Sequence, residues 1–366
     1  MQPTVVSELI RLSRPVMGDA ETEAVIAVLR TGQIAQGKVV SRFEHEFAAL
    51  CGTRHAVATS SGTTALCTAL LAHGIGRGDE VITTPFTFIA TINSILSVGA
   101  TPILVDIESE TFNINPALIE RAISPRTRAI MPVHLFGHLC AMDDILDIAQ
   151  KHHLVVIEDA AQAAGAKLRE RHAGTFGTGC FSFYATKNLT CGEGGAVITD
   201  DDTIAERCRM VRNHGMRQRY HHEMLGFNYR MNEISAAIGL CQLAQFDKMQ
   251  RCRAQNAEFL QSHLYNVGVP IVRDNYTHAW HQFTVKTPFQ DAVKRNVIVD
   301  DLRKNGIEAG IFYPLPVHRQ AYLVGEFSGQ SFSVAEEMAD RVFSLPIHPH
   351  LSLDELERIT AVVNRI

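Results

Sequence analysis

The sequence predicts an α/β protein, with a large domain built on a mostly parallel central sheet flanked by helices and a smaller C-terminal α/β domain. Three observations carry this. Short apolar runs alternate with helical windows from residue 55 to residue 157, the pattern of βα units with helices on both faces of a sheet. After Thr199 the alternation gives way to one long helical window over 232–264. A second alternation begins near 268. The change puts a boundary at 245–265 and divides the chain into a large domain, 1–250, and a small one, 251–366.

Taken in order, residues 19–30 open with an acidic first turn and bring Val25, Ile26 and Leu29 to one face, as an amphipathic helix requires. A second helix falls at 39–50. The alternation then reads strand 55–58, helix 62–72, strand 81–83, helix 89–98, strand 102–105 and short helix 116–123. Strand 129–133, helix 142–152 and strand 154–157 complete it. Apolar runs from Cys180 and from Ala196 to Thr199 add two strand-like segments, and 200–211 is helical. In the long helix Ile234, Ile238, Leu240, Leu243 and Phe246 recur at roughly helical spacing. Beyond it, strand 281–286 precedes helical windows at 293–304, 338–342 and 353–363. In such sheets ligands collect at the carboxyl ends of the strands.

Composition narrows the function classes. Of 366 residues, 46% are hydrophobic and 20% charged, and the net charge is 34 − 39 = −5 without a basic block. Neither nucleic acid nor an anionic membrane is an indicated partner. The eight cysteines form no CxxC, so reduced thiols are expected. Residues 1–14 lack the apolar core of a signal peptide, and no run approaches the roughly 20 apolar residues of a spanning helix. A cytoplasmic protein is expected. The 17 histidines include no HExxH or other zinc spacing, and P-loop, GxGxxG and GxSxG motifs are missing.

One stretch concentrates the chemistry. A strand-like run from Cys180 leads to Lys187, and a glycine cluster, Gly192, Gly194 and Gly195, returns the chain to a second strand. A buried lysine at a strand end has a depressed pKa and attacks aldehydes, while on this segment alone the plainer reading is a surface lysine in a hairpin. Ser60-Ser61-Gly62-Thr63-Thr64 opens a helix whose free N–H groups suit an anion, or Ser61 merely caps it. Asp159 ends a strand, where a carboxylate holds a cationic heterocycle nitrogen or caps a turn. Phe86 and Phe88 follow another strand and either present a ring face to a flat ligand or fill the core.

In this order the motifs SSGTTAL, TTPFTFIAT, PVHLFGH, VVIEDAAQA, FSFYATKN with GEGG, NHG, NYRMNEISAAIG, FYPLPVH and LPIHPHLS resemble the DegT/DnrJ/EryC1/StrS sugar aminotransferases. These are fold-type-I enzymes of the aspartate aminotransferase superfamily that use pyridoxal 5'-phosphate (PLP). The resemblance implies that Lys187 is the catalytic residue that carries the cofactor aldehyde. It implies that Asp159 pairs with the ring nitrogen, Gln162 with the ring hydroxyl, and that Phe88 stacks on the ring. Gly62, Thr63 and Ser182 would hold the phosphate with Asn228 of a second subunit, so a homodimer with shared sites is implied. Arg230, Tyr313 and His318 are implied substrate contacts. Glutamate would be the amino donor, and a nucleotide-linked keto-deoxyhexose the acceptor, in amino-sugar biosynthesis. A cyclitol ketone is the alternative acceptor, and a non-catalytic regulator on the same fold is the alternative of another class. Two departures, Tyr184-Ala185-Thr186 before the lysine and Gly62 where some relatives have Ala, blur the subfamily. Relatives that became dehydratases carry histidine at the lysine position, which Lys187 argues against. Within this resemblance Gly192, Gly194 and Gly195 read as room for backbone close to a ligand.

Overall fold

The computed structural model describes residues 9–365, so the first eight residues of the N-terminal stretch assessed for a signal peptide lie outside it. Seven strands form the central sheet: β1 (His55–Thr59), β2 (Glu80–Thr83), β3 (Thr101–Leu104), β4 (Thr127–Ile130), β5 (Val155–Asp159), β6 (Thr178–Ser182) and β7 (Gly195–Thr199). Their spatial order is β1-β7-β6-β5-β4-β2-β3. The pairs from β3 through β6 are parallel, and β7 alone runs antiparallel to both its neighbours, β6 and β1. Strands β2 and β7 are buried along their whole length, Glu80 and Thr83 of β2 included.

Helices cover both faces. On one side α2 (Lys38–Cys51), α5 (Met142–His152) and α7 (Glu233–His263) supply Phe43, Phe47, Ile145 and Phe246 to one core. On the other, α3 (Gly62–Ala72) and α6 (Asp202–Val211) supply Leu66, Leu70, Ile204 and Cys208 to a second. Helices α1 (Asp19–Thr31) and α4 (Ala90–Ser97) complete this region. The expected bounds of α3 hold because Ser61 and Thr64 cap it reciprocally, Thr64 N donating to Ser61 Oγ at 3.2 Å and Ser61 N to Thr64 Oγ1 at 2.9 Å. Helix α7 is unbroken over 31 residues. Buried Glu233 in its first turn accepts the N–H groups of Gly37, Val39 and Val40 at 2.8–3.0 Å, binding α7 to the start of α2.

The C-terminal part holds a two-stranded antiparallel pair, β8 (Phe283–Lys286) with β9 (Val342–Leu345), and helices α8 (Ala292–Lys304), α9 (Ser333–Arg341) and α10 (Leu353–Val363). Here the helical window at 338–342 is corrected. The helix starts at Ser333 and ends at Arg341, and Val342 opens a strand whose four residues are all buried against β8. A separate core gathers Phe283, Val285, Leu302, Phe343 and Ile359, joined by Leu260 from the end of α7 and by Ile10 from the N-terminal segment. Among the described residues no helix is long and apolar enough to cross a membrane, and all eight cysteines are free thiols.

Candidate active site

Since β1 through β6 share one orientation once the reversal at β7 is counted, their carboxyl ends meet along one edge of the sheet. A cavity of about 480 Å³ opens there. Its wall carries Gly62, Thr63, Phe88, Asp159, Gln162, Ser182, Lys187 and Tyr313. Residues spread over 250 positions of sequence thus face one space.

One end suits an anion. The N–H groups of Gly62 and Thr63, first in α3, have no acceptor among the described residues, while Thr64 and Ala65 are satisfied by Ser61. A Cβ at Gly62 would lie 2.7 Å from Ser182 Cβ, so glycine lets the helix start abut the end of β6. Gly195 works behind it: a Cβ there would lie 2.3 Å from the Ser61 carbonyl oxygen. This corrects the reading of the glycine cluster at two of its three positions. Gly195 does make room for backbone, that of Ser61 beside the helix start, but a Cβ at Gly194 would meet the Met231 side chain, and Gly192, at φ +79°, is a turn residue where a Cβ would meet nothing within 4 Å.

The other end holds a buried carboxylate. Asp159 is 6% exposed, and its Oδ2 accepts from Thr91 Oγ1 at 2.8 Å while Oδ1 accepts from Ala161 N at 3.2 Å. Burial pushes its carboxyl above the usual range, and these hydrogen bonds with the nearby Lys187 ammonium pull the other way. The adjacent Glu158 is fully buried and accepts from Gly174 N, Phe176 N and Gly177 N at 2.7–2.8 Å, with His134 Nε2 at 2.9 Å. It fastens the end of β5 from behind and leaves Asp159 to face the cavity.

Lys187 stands in the connection from β6 to β7, which run antiparallel, so it does lie in a hairpin-like return, but one turned inward. Burial lowers its pKa to about 8, partly offset by the Asp159 carboxylate. The amine is a poised nucleophile. Gln162 is held by Phe136 N, which donates to its Oε1 at 2.8 Å, and its Nε2 donates to the Tyr313 hydroxyl oxygen at 3.1 Å. Phe88 is 56% exposed, its ring 6.2 Å from that of Tyr313, whereas Phe86 is wholly buried and belongs to the core.

Three expected residues are elsewhere. Asn228 is exposed and Arg230, which donates to Asn213 Oδ1 at 2.8 Å, lies beside it, both off this chain's cavity wall. His318 is buried against Phe332 with its Nε2 2.8 Å from Glu336 Oε1, away from the cavity, because its 3-10 turn packs onto α9. Thr91, Glu193 and His281 line the cavity without having been singled out from sequence. Thr91 and Glu193 sit within motifs and His281 opens a strand-like run, but no spacing rule aims a side chain.

The residues present fit pyridoxal phosphate. Free N–H groups at a helix start, a buried carboxylate and a lysine near neutrality each match one functional group of that cofactor, and all border one cavity. A model of the DegT/DnrJ/EryC1/StrS aminotransferase family matches residues 15–364. The chain belongs to this family.

The family member is 43% identical over 351 residues to dTDP-3-amino-3,4,6-trideoxy-alpha-D-glucose transaminase of Streptomyces venezuelae, covering 94% of this chain and 91% of that one. Among solved structures, S. venezuelae DesV in complex with a ketimine intermediate is similar with a TM-score of 0.90 and 41% identity, over 94% of this chain and 93% of that one. NtdA of Bacillus subtilis with bound cofactor PMP follows with a TM-score of 0.88 and 31% identity, over 95% and 82%. This family member is an aminotransferase of the fold-type-I class, and its cofactor is pyridoxal phosphate, which becomes pyridoxamine phosphate (PMP) when aminated.

Proposed function

We propose that this aminotransferase moves the amino group of L-glutamate onto a nucleotide-linked keto-deoxyhexose in amino-sugar biosynthesis, as a cytoplasmic homodimer with shared sites. The observation that carries the reading is the joint placement of Lys187, Asp159 and the start of α3 around one cavity, in a chain 43% identical to a transaminase of a dTDP-linked sugar. In this reading the first 250 residues form the cofactor-binding domain and the remainder a small domain that closes on it.

The cofactor, when bound, withdraws electrons from the substrate carbon so that its proton becomes acidic. The chain's residues do the rest. Lys187 offers the amine that attaches the cofactor and, once released, takes the proton from the substrate carbon and redelivers it. Asp159 keeps the ring nitrogen protonated, Gln162 bonds the ring hydroxyl and Phe88 covers the ring face. Gly62, Thr63 and Ser182 bind the phosphate. Among the described residues no arginine lines the cavity and Lys187 is its one lysine. Glutamate and a sugar diphosphate are both anionic, so their cationic partners come from outside this wall. That supports Asn228 and Arg230 acting in the site of a second subunit, Asn228 on the phosphate and Arg230 with Tyr313 on the substrate.

A single-turnover experiment tests the reading. L-glutamate bleaches the yellow protein, and the colour returns with a dTDP-linked keto-deoxyhexose. Return of colour with inosose alone overturns the acceptor, and failure of glutamate to bleach it overturns the donor.

A further inference from the structure

Tyr313 belongs to the C-terminal part of the chain, yet its hydroxyl meets Gln162, 151 residues earlier and just past β5. Neighbouring rings hold it in place. Its centroid lies 6.2 Å from those of Phe86 and Phe88 and 6.0 Å from that of Phe312. Val317 N donates to the Pro85 carbonyl at 2.8 Å, which ties the segment carrying Tyr313 to the chain just past β2. Burial pushes the phenol above the usual tyrosine range, so it is neutral at pH 7 and keeps its proton.

The direction of each hydrogen bond follows from the backbone outward. Phe136 N only donates, so the amide atom 2.8 Å from it is Gln162 Oε1. The opposite end is therefore the NH₂ group, which only donates, and the Tyr313 oxygen at 3.1 Å accepts. Two protons stay uncommitted among the described residues: the second N–H of Gln162 and the phenol's own O–H. Both residues line the cavity.

We infer that Tyr313 is a positioning residue for Gln162, accepting one N–H of the amide so that the other is aimed at the cofactor's ring hydroxyl. The inference rests on the reading of Gln162 as the partner of that hydroxyl. An amide held only at its oxygen pivots about that single bond, whereas one held at both ends presents its remaining N–H in a fixed direction. The C-terminal part thereby sets a cofactor contact made by the large domain. Tyr313 spends its oxygen on Gln162 and not its proton, so the O–H stays available for the substrate contact proposed above.

Tyr313→Phe, which keeps the packed ring, Gln162→Leu and the double variant test this. Calorimetry reads PMP affinity, and absorbance of the holoenzyme reads the pH midpoint of its colour change. Tyr313→Phe is expected to weaken PMP binding roughly three- to tenfold, the scale of one hydrogen bond. A ring oxygen with a weaker donor holds a shared proton more tightly, so the midpoint moves to higher pH in both single variants. In the Gln162→Leu background, adding Tyr313→Phe changes neither quantity, since the tyrosine acts through the amide. Losses that add in the double variant, or a Tyr313→Phe protein that matches the parent while Gln162→Leu does not, overturn the inference alone. A Gln162→Leu protein that matches the parent in both quantities overturns the reading of Gln162 and the inference with it.

Discussion

The Thr91 hydroxyl donates to Asp159 Oδ2 at 2.8 Å, and because that proton is committed, Thr91 Oγ1 accepts from Thr87 Oγ1 at 2.8 Å. This two-threonine relay from the start of α4 orients a carboxylate that burial alone would favour protonating. Thr91→Val leaves Oδ2 without its donor. The variant is expected to lose about 1–2 kcal/mol of stability in urea unfolding and to bind PMP more weakly by fluorescence titration. Unchanged PMP affinity would argue against Asp159 as a cofactor contact.

The amine of Lys187 predicts a pH dependence. With its pKa lowered to about 8, the neutral form grows as pH rises and saturates above that value. Reductive methylation at Lys187 in the cofactor-free protein, followed by mass spectrometry, should rise to a plateau with its inflection near 8. The Asp159 carboxylate favours the ammonium, so Asp159→Asn should move the inflection lower. A shift upward would contradict the assigned electrostatics.

The three glycines around the return strand should separate. Gly195→Ala drives a Cβ against the Ser61 carbonyl and Gly62→Ala drives one against Ser182, so both displace the start of α3. Each should weaken PMP binding, Gly195→Ala more, since backbone yields less than a side chain. Gly192→Ala meets no atom and should leave PMP affinity unchanged, at about 1 kcal/mol of stability for the left-handed residue. Calorimetric PMP titration and urea unfolding read the two effects.

Glu158→Gln retains the size of the side chain but places an amide NH₂ where one carboxylate oxygen now accepts from Gly174 N and faces His134. Two donors then oppose each other in a fully buried site. A loss of roughly 2–3 kcal/mol is expected, with weaker PMP binding because β5 carries Asp159. Denaturant unfolding with and without PMP would show both. A variant as stable as the parent would remove Glu158 from the support of the site.

Much of the site was legible from sequence because its anchors sit at strand ends and helix starts. Lys187, Asp159, Gln162 and the Gly62 turn come within reach once β5, β6 and α3 are recognised, since a parallel sheet gathers those ends along one edge. His318 was not legible in the same way. Its position at the end of the FYPLPVH motif says nothing about which way a 3-10 turn points, and packing on α9 turned it toward Glu336. Thr91 and the Glu158–His134 pair were missed because their roles depend on partners 24 to 68 residues away.

By itself the sequence determined the alternating elements, the bounds of α3, α5 and α10, and the order of motifs that marks the family. Local propensity, capping and hydrophobic periodicity act over a few residues and are written there. Tertiary structure alone decided that Val342 is a strand residue, that Gly195 makes room for the Ser61 backbone, and that His318 turns toward Glu336 rather than the cavity. Those are matters of burial and hydrogen-bond direction between distant segments, which have no value until the chain has closed on itself.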